Sequence, residues 1–155
     1  MDELTKVLFV CHGNICRSPL AEFVFRDMVS KAGLSDRIGC ASCATSTEHI
    51  GQAPDPRAQV QMANHGILCS GKTARRLTVD DFSEYDYILG MDHRNLEYIN
   101  RVAPEGRRAR TGLLKDYSTG GDVADPWYTG DFNATYVDVE RACRGLLDSL
   151  RGEHR

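Results

Sequence analysis

Lys6-Val7-Leu8-Phe9-Val10-Cys11-His12-Gly13-Asn14-Ile15-Cys16-Arg17-Ser18-Pro19 is the stretch that decides the fold. Lys6 to Cys11 is a short apolar, β-branched run without alternation, the pattern of a strand buried on both faces of a parallel sheet. His12 to Arg17 follows as a turn. Ser18 and Pro19 then open a helix, with Ser18 as N-cap and Pro19 at the first helical position. Leu20, Val24 and Met28, together with Ala21, Phe25 and Val29, give that helix a buried face repeating every four residues. Gly33 ends it. The first 33 residues therefore read as strand, tight loop, helix.

The same alternation continues outward. A second strand is expected over residues 38–44, then a polar loop, then a helix starting at Asp55-Pro56 and stopping at Gly66. Residues 75–82 read as a connector with a short helix at 78–81. A third strand covers 85–91, a helix capped by Asp92 runs to about Val102, and a fourth strand covers 109–114. Residues 115–130 form a long loop rich in Gly, Asp and aromatics, of the length that is usually functional. The last helix runs from about Phe132 to Leu150, with Tyr136, Val139, Cys143, Leu146 and Leu147 on its apolar side. This order predicts an α/β chain, one doubly wound domain over residues 1–155. Its four-stranded parallel sheet, in the order 2-1-3-4, has helices on both faces. Ligands of such sheets bind outside the carboxyl ends of the strands, which is where the loop at 11–18 lies.

Composition narrows the partners. The chain has 155 residues, 41% hydrophobic and 26% charged, with a net charge of -3. Charges so balanced leave no electrostatic footprint for nucleic acid, and no apolar run approaches the roughly 20 residues of a membrane helix. The start of the chain is acidic, the wrong sign for a secretory signal, so a cytoplasmic setting is expected. Cys11, Cys16, Cys40, Cys43, Cys69 and Cys143 are then reduced thiols. Cys40 and Cys43 have a spacing found in zinc sites, but no second Cys or Cys/His pair completes four ligands. They read as packing, with no metal and no cofactor expected.

Five residues separate Cys11 from Arg17. A loop of that size can wrap a tetrahedral oxyanion with converging backbone N–H groups, helped by the positive end of the following helix. Arg17 can close the ring with a bidentate guanidinium contact that Lys could not copy. Gly13 permits a left-handed or otherwise strained backbone. The same field favours the Cys11 thiolate, and thiols in such settings have pKa values lowered to about 3.5–7.5. Ser18 can donate a hydrogen bond to that sulfur. A thiolate at the base of a phosphate cradle is a nucleophile facing phosphorus. A phenol leaving group, with a pKa of about 10, then needs a proton. Asp55, before Pro56 and a helical pattern, reads as an N-cap. Asp125, in the long loop beside Pro126, Trp127 and Tyr128, reads as the acid, with the two aromatics as walls of an aryl pocket.

At this point the sequence resembles the low-molecular-weight protein tyrosine phosphatases. The resemblance rests on the Cys11-to-Pro19 loop and the late Asp125-Pro126. Asp55-Pro56-Arg57-Ala58, Asn64-His65-Gly66-Ile67, Tyr87-Ile88-Leu89 and Met91-Asp92 follow in the family's order. It implies phosphate binding by His12, Gly13, Asn14, Ile15, Cys16, Arg17 and Ser18, catalysis by Cys11, Arg17 and Asp125, and phosphotyrosine proteins as substrates. The expected assembly is a monomer or weak dimer. The resemblance further implies that Cys16 can pair with Cys11 and protect it from over-oxidation, against the plainer reading of a packed thiol. It also implies a network joining Asn14 and Ser42 to a His. Here Lys72 stands near that His position, which puts the network in doubt. Trp127 replaces the family's usual Tyr. Glu48, in the variable loop at 45–50, either senses charge beside the phosphotyrosine or is a solvated loop charge, and His12 is either a rim residue or polar surface. Arsenate reductases resembling this family need two more cysteines, and residues 78–92 hold none. In protein-arginine phosphatases a Thr tends to occupy the position of Ile15, so Ile15 favours phosphotyrosine.

Overall fold

A computed structural model describes residues 4–153; residues 1–3, on which the reading of an acidic start partly rests, and 154–155 lie outside the described residues. Strands β1 (Thr5–Cys11), β2 (Ile38–Ala44), β3 (Tyr87–Gly90) and β4 (Arg110–Leu113) form one parallel sheet in the order β2-β1-β3-β4, as the sequence led us to expect. The helices are α1 (Arg17–Lys31), α2 (Pro56–Asn64), α3 (Asp81–Glu84), α4 (His93–Val102), α5 (Pro126–Thr129) and α6 (Phe132–Glu153).

The period-two alternation of β1 explains why both faces of the sheet are covered. Val7, Phe9 and Cys11 enter a core shared with α1 and α6. Leu8 and Val10 enter a second core with Phe82, Ile88 and Ile99. A strand apolar on both faces carries no alternation, which is the pattern read above. Cys11 is the last residue of β1 and pairs with Ala44 of β2, while Val10 pairs with Gly90 of β3. The sulfur therefore stands at the carboxyl edge of the central strand.

Several local readings change. Helix α1 starts at Arg17, not after Ser18, and its cap residue Cys16 makes no side-chain cap. Ser18 and Pro19 are the second and third helical residues. Pro19 is tolerated because its missing N–H is one of the first-turn donors that have no helical acceptor anyway. At the other end Gly33, with φ 72°, closes the helix: Gly33 N donates to Ser30 O and Leu34 N to Val29 O, a Schellman pair. The short helix lies at Asp81–Glu84 rather than 78–81, because Asp81 accepts from Thr78 N and turns the preceding residues. The segment at 115–130 is not all loop: a 3-10 turn (Leu114–Tyr117) and α5 lie in it. Helix α6 runs three residues beyond its expected end.

Helix α6 is seated by Gly145. A Cβ built there would lie 1.9 Å from the Tyr117 carbonyl oxygen. Helix propensity alone favours Ala over Gly by about 1 kcal/mol; the backbone contact reverses the sign. Gly145→Ala should therefore destabilise the protein by about 2 kcal/mol or more in urea denaturation, and a stabilised variant would contradict this packing.

Candidate active site

The loop after β1 turns on Asn14, which has φ 59° and is the one non-glycine residue with positive φ among the described residues. Asn tolerates this region because its short polar side chain bonds locally. Gly13, which reads as permitting a left-handed or otherwise strained backbone, does not have positive φ. Its constraint is space, since a Cβ there would meet the His49 ring at 2.8 Å. Thr45 N donates to Cys11 O and Ser46 N to His12 O, which fastens this loop to the one after β2; Asp55 N donates to Ile15 O, which fastens it to the start of α2.

Asn14 N donates to the Cys11 sulfur at 3.3 Å, and Ser18 Oγ lies 3.0 Å from the same atom. The direction of the second contact follows from what lies behind it. The Glu22 carboxylate can only accept, so Ser42 Oγ donates to it, at 2.6 Å. Ser42 Oγ therefore accepts from Asn14 Nδ2, at 2.9 Å. That fixes the amide, whose Nδ2 also donates to Ser18 Oγ at 2.8 Å while Oδ1 accepts from Arg75 N. The Ser18 hydroxyl hydrogen then points to the sulfur, since its alternative, Cys43 O, is 3.5 Å away. Lys72, near the position where the resembling family has His, anchors this chain: its Nζ lies 3.4 Å from Glu22 and donates to Ser42 O. In this chain the network is therefore joined by Lys72. Arg26 is the second partner of the buried Glu22.

Arg17, only 3% exposed, crosses from α1 to loops far along the chain. One guanidinium nitrogen donates to Asp92 Oδ2 at 2.7 Å and to Val123 O at 3.1 Å; the other lies 3.4 Å from Asp125 Oδ2. Burial opposes the guanidinium charge, but Cys11, Asp92 and Asp125 outweigh it and hold Arg17 above its ordinary pKa. Burial likewise opposes ionisation of Asp92, and the bonds from Arg17 and Asn95 N outweigh it, leaving its carboxyl below the ordinary range. The sequence marked Asp92 only as a helix cap, which it also is. No local pattern could announce a partner 75 residues from Arg17.

Asp55 and Asp125 are both N-caps, accepting from Arg57 N and Trp127 N respectively. Capping therefore does not separate them; location does. Asp55 is held by the Arg57 guanidinium, whose bonds depress its carboxyl. Asp125 lines a cleft with Cys11, Ile15, Cys16, Arg17, Trp127 and Tyr128. His49 completes the wall against Trp127, with ring centroids 5.9 Å apart, and the Arg57 guanidinium lies 5.7 Å from the centre of the Trp127 ring. Neither His49 nor Arg57 was singled out from the sequence. Glu48 and His12 pair at 3.1 Å on the rim, both exposed, so His12 is a rim residue.

The six cysteines are free thiols. Cys16 is pushed up to about 12, first by burial and then by Asp55, Cys11 and Asp125. Cys40 and Cys43 occupy opposite faces of β2, Cys40 against the α1 core and Cys43 in the other, so they cannot grip one ion.

Comparison with known proteins agrees with this geometry. The family profile described as low molecular weight phosphotyrosine protein phosphatase matches residues 6–155. The low molecular weight phosphotyrosine protein phosphatase of Schizosaccharomyces pombe is 43% identical to the chain, covering 97% of it and 99% of the relative. The crystal structure of YfkJ from Bacillus subtilis matches with a TM-score of 0.91 at 36% identity, over 99% of this chain and 98% of that one. DARP, a Drosophila arginine phosphatase, matches with a TM-score of 0.89 at 30% identity, over 94% and 98%.

Asp92→Asn keeps a good cap and removes the charge facing Arg17. The carboxyl is depressed in the folded state, so its stabilisation is complete above about pH 4 and is lost as pH falls through the folded value. Allowing for partial exposure, the variant should melt about 2–4 °C lower at pH 7, or about 1 kcal/mol. The two melting curves should converge in acid, and a gap that persists at the acid limit would contradict the pairing.

Proposed function

We propose that this chain, which belongs to the low molecular weight phosphotyrosine protein phosphatase family and is a protein-tyrosine phosphatase, works through a cysteinyl-phosphate on Cys11. The observation that carries the reading is the Cys11 sulfur facing the cleft with two hydrogen-bond donors, Asn14 N and Ser18 Oγ, aimed at it. In the first step the Cys11 thiolate attacks phosphorus in line and Asp125 protonates the departing phenolate. In the second, Asp125 as carboxylate takes a proton from water, the water oxygen attacks phosphorus, and the thiolate leaves. The Ser18 hydroxyl stabilises the sulfur anion at both ends of the cycle. Arg17 and the loop N–H groups hold the equatorial oxygens throughout, so positioning and electrostatics supply the rate. Ile15, Trp127 and Tyr128 offer an aryl ring an apolar wall.

Phosphoarginine is the competing substrate, suggested by the Drosophila relative. Ile15 favours an aryl ring over a guanidinium because it offers no polar atom. Ile15→Thr should raise the ratio of phosphoarginine to phosphotyrosine hydrolysis, and no change in that ratio would remove Ile15 as the selector. Because the nucleophile must be a free thiol, a reducing, cytoplasmic setting suits the chemistry. Cys16 is the nearest thiol in sequence to guard it: peroxide converts Cys11 to a sulfenic acid with release of water, and Cys16 displaces a second water to form the disulfide. Its raised pKa makes that attack faster at alkaline pH.

Two variants test the roles. Cys11→Ser should abolish turnover. Asp125→Asn should lower kcat about 10²–10⁴-fold on phenyl phosphate, lose less on an aryl phosphate with a more acidic phenol, and lose the alkaline limb of the rate profile. Equal losses on both esters would reassign the acid.

A further inference from the structure

We propose that the groove between α4 and the loop after β2 receives an acidic stretch of the substrate beside the phosphotyrosine. The proposal rests on the reading of the cleft as a phosphotyrosine pocket and adds to it a charge preference outside that pocket.

The groove is continuous with the catalytic cleft, with which it shares His12, Arg17, Asp125 and Tyr128, and runs out along Arg94, Tyr98 and Arg101 of α4. Arg76 closes its edge. Its guanidinium donates to Tyr98 Oη at 2.9 Å and to Thr45 O at 3.3 Å, and lies 5.8 Å from the centre of the Tyr98 ring. Arg101 lies 5.4 Å from the same ring. Tyr98 thus braces two guanidinium groups, which keeps them in place at low entropic cost.

What sets these arginines apart is that their charge is not spent. Neither Arg76, Arg94 nor Arg101 has a carboxylate within ion-pair distance among the described residues, whereas Arg57, Arg75 and Lys115 each have one. Of the carboxylates in the groove, Asp92 and Asp125 face Arg17, and Asp122 is hydrogen-bonded to the His93 backbone N–H and ring. Glu97 of α4 does not line the groove. On the other rim of the cleft stands Glu48, whose one ion-pair contact among the described residues is His12. The mouth is therefore polarised, and an acidic flank is drawn toward α4 and repelled from Glu48. Arg94 and Arg101 are seven positions apart on one helix, about 10 Å of rise, the length of about three extended residues.

The test compares the parent protein with the double variant Arg94→Gln, Arg101→Gln on three substrates at low salt. These are a phosphotyrosine peptide with Glu on both flanks, the same peptide with Gln, and p-nitrophenyl phosphate. The expected result is that the parent prefers the Glu peptide by about 5–10-fold in kcat/KM, through KM, and that added salt erodes this preference. The double variant should lose the preference while hydrolysing the small ester within about twofold of the parent. A parent indifferent to Glu against Gln overturns the proposal, as does a variant that loses equally on all three substrates. Failure of the parent to hydrolyse the small ester would instead remove the phosphatase reading beneath it.

Discussion

The structure depends on holding one sulfur atom at the carboxyl end of a buried strand with donors aimed at it. A buried polar atom is costly unless satisfied, and the chain meets this by running a directed series of hydrogen bonds from the Glu22 carboxylate through Ser42, Asn14 and Ser18 to Cys11. Each link fixes the donor role of the next. The positive φ of Asn14 serves the same purpose, since it lets one residue present its backbone N–H to the sulfur and its side chain to both serines. Among the described residues no buried side-chain polar atom lacks a partner.

Electrostatics is arranged locally against a net charge of -3. Arg17 collects Asp92, Asp125 and a backbone carbonyl from loops far along the chain and so ties the loop after β1 to the loop that carries Asp125. Charge left over on α4 lies beside this site.

What could be read in advance was what is local in the chain. The strand, loop and helix at 6–33 declare themselves through an unbroken apolar run, a short turn and a four-residue repeat, and the parallel order follows from alternation. Ser18 reads both as an N-cap and as a donor to the Cys11 sulfur; the first fails because Ser before Pro is only a general helix-start signal, and the second holds because Cys11 stands 3.0 Å from the hydroxyl. At Gly13 the sequence suggests a backbone requirement, whereas the close approach is that of the His49 ring, brought in from 36 positions away. Lys72, Glu22 and Asp92 act across separations that no short pattern encodes. Asp55 and Asp125 are alike as Asp-Pro caps and are told apart by tertiary surroundings, Asp55 held by Arg57 and Asp125 facing the cleft beside Arg17.

The most direct measurement is acid quench of the protein during turnover of an aryl phosphate, followed by peptide mapping by mass spectrometry. The account predicts one phosphoryl group, carried on the Cys11 sulfur, accumulating further when Asp125→Asn slows the attack of water and the leaving phenol is acidic enough to depart unaided. A phosphoryl group on any other residue, or hydrolysis by Cys11→Ser at the parental rate, would contradict it.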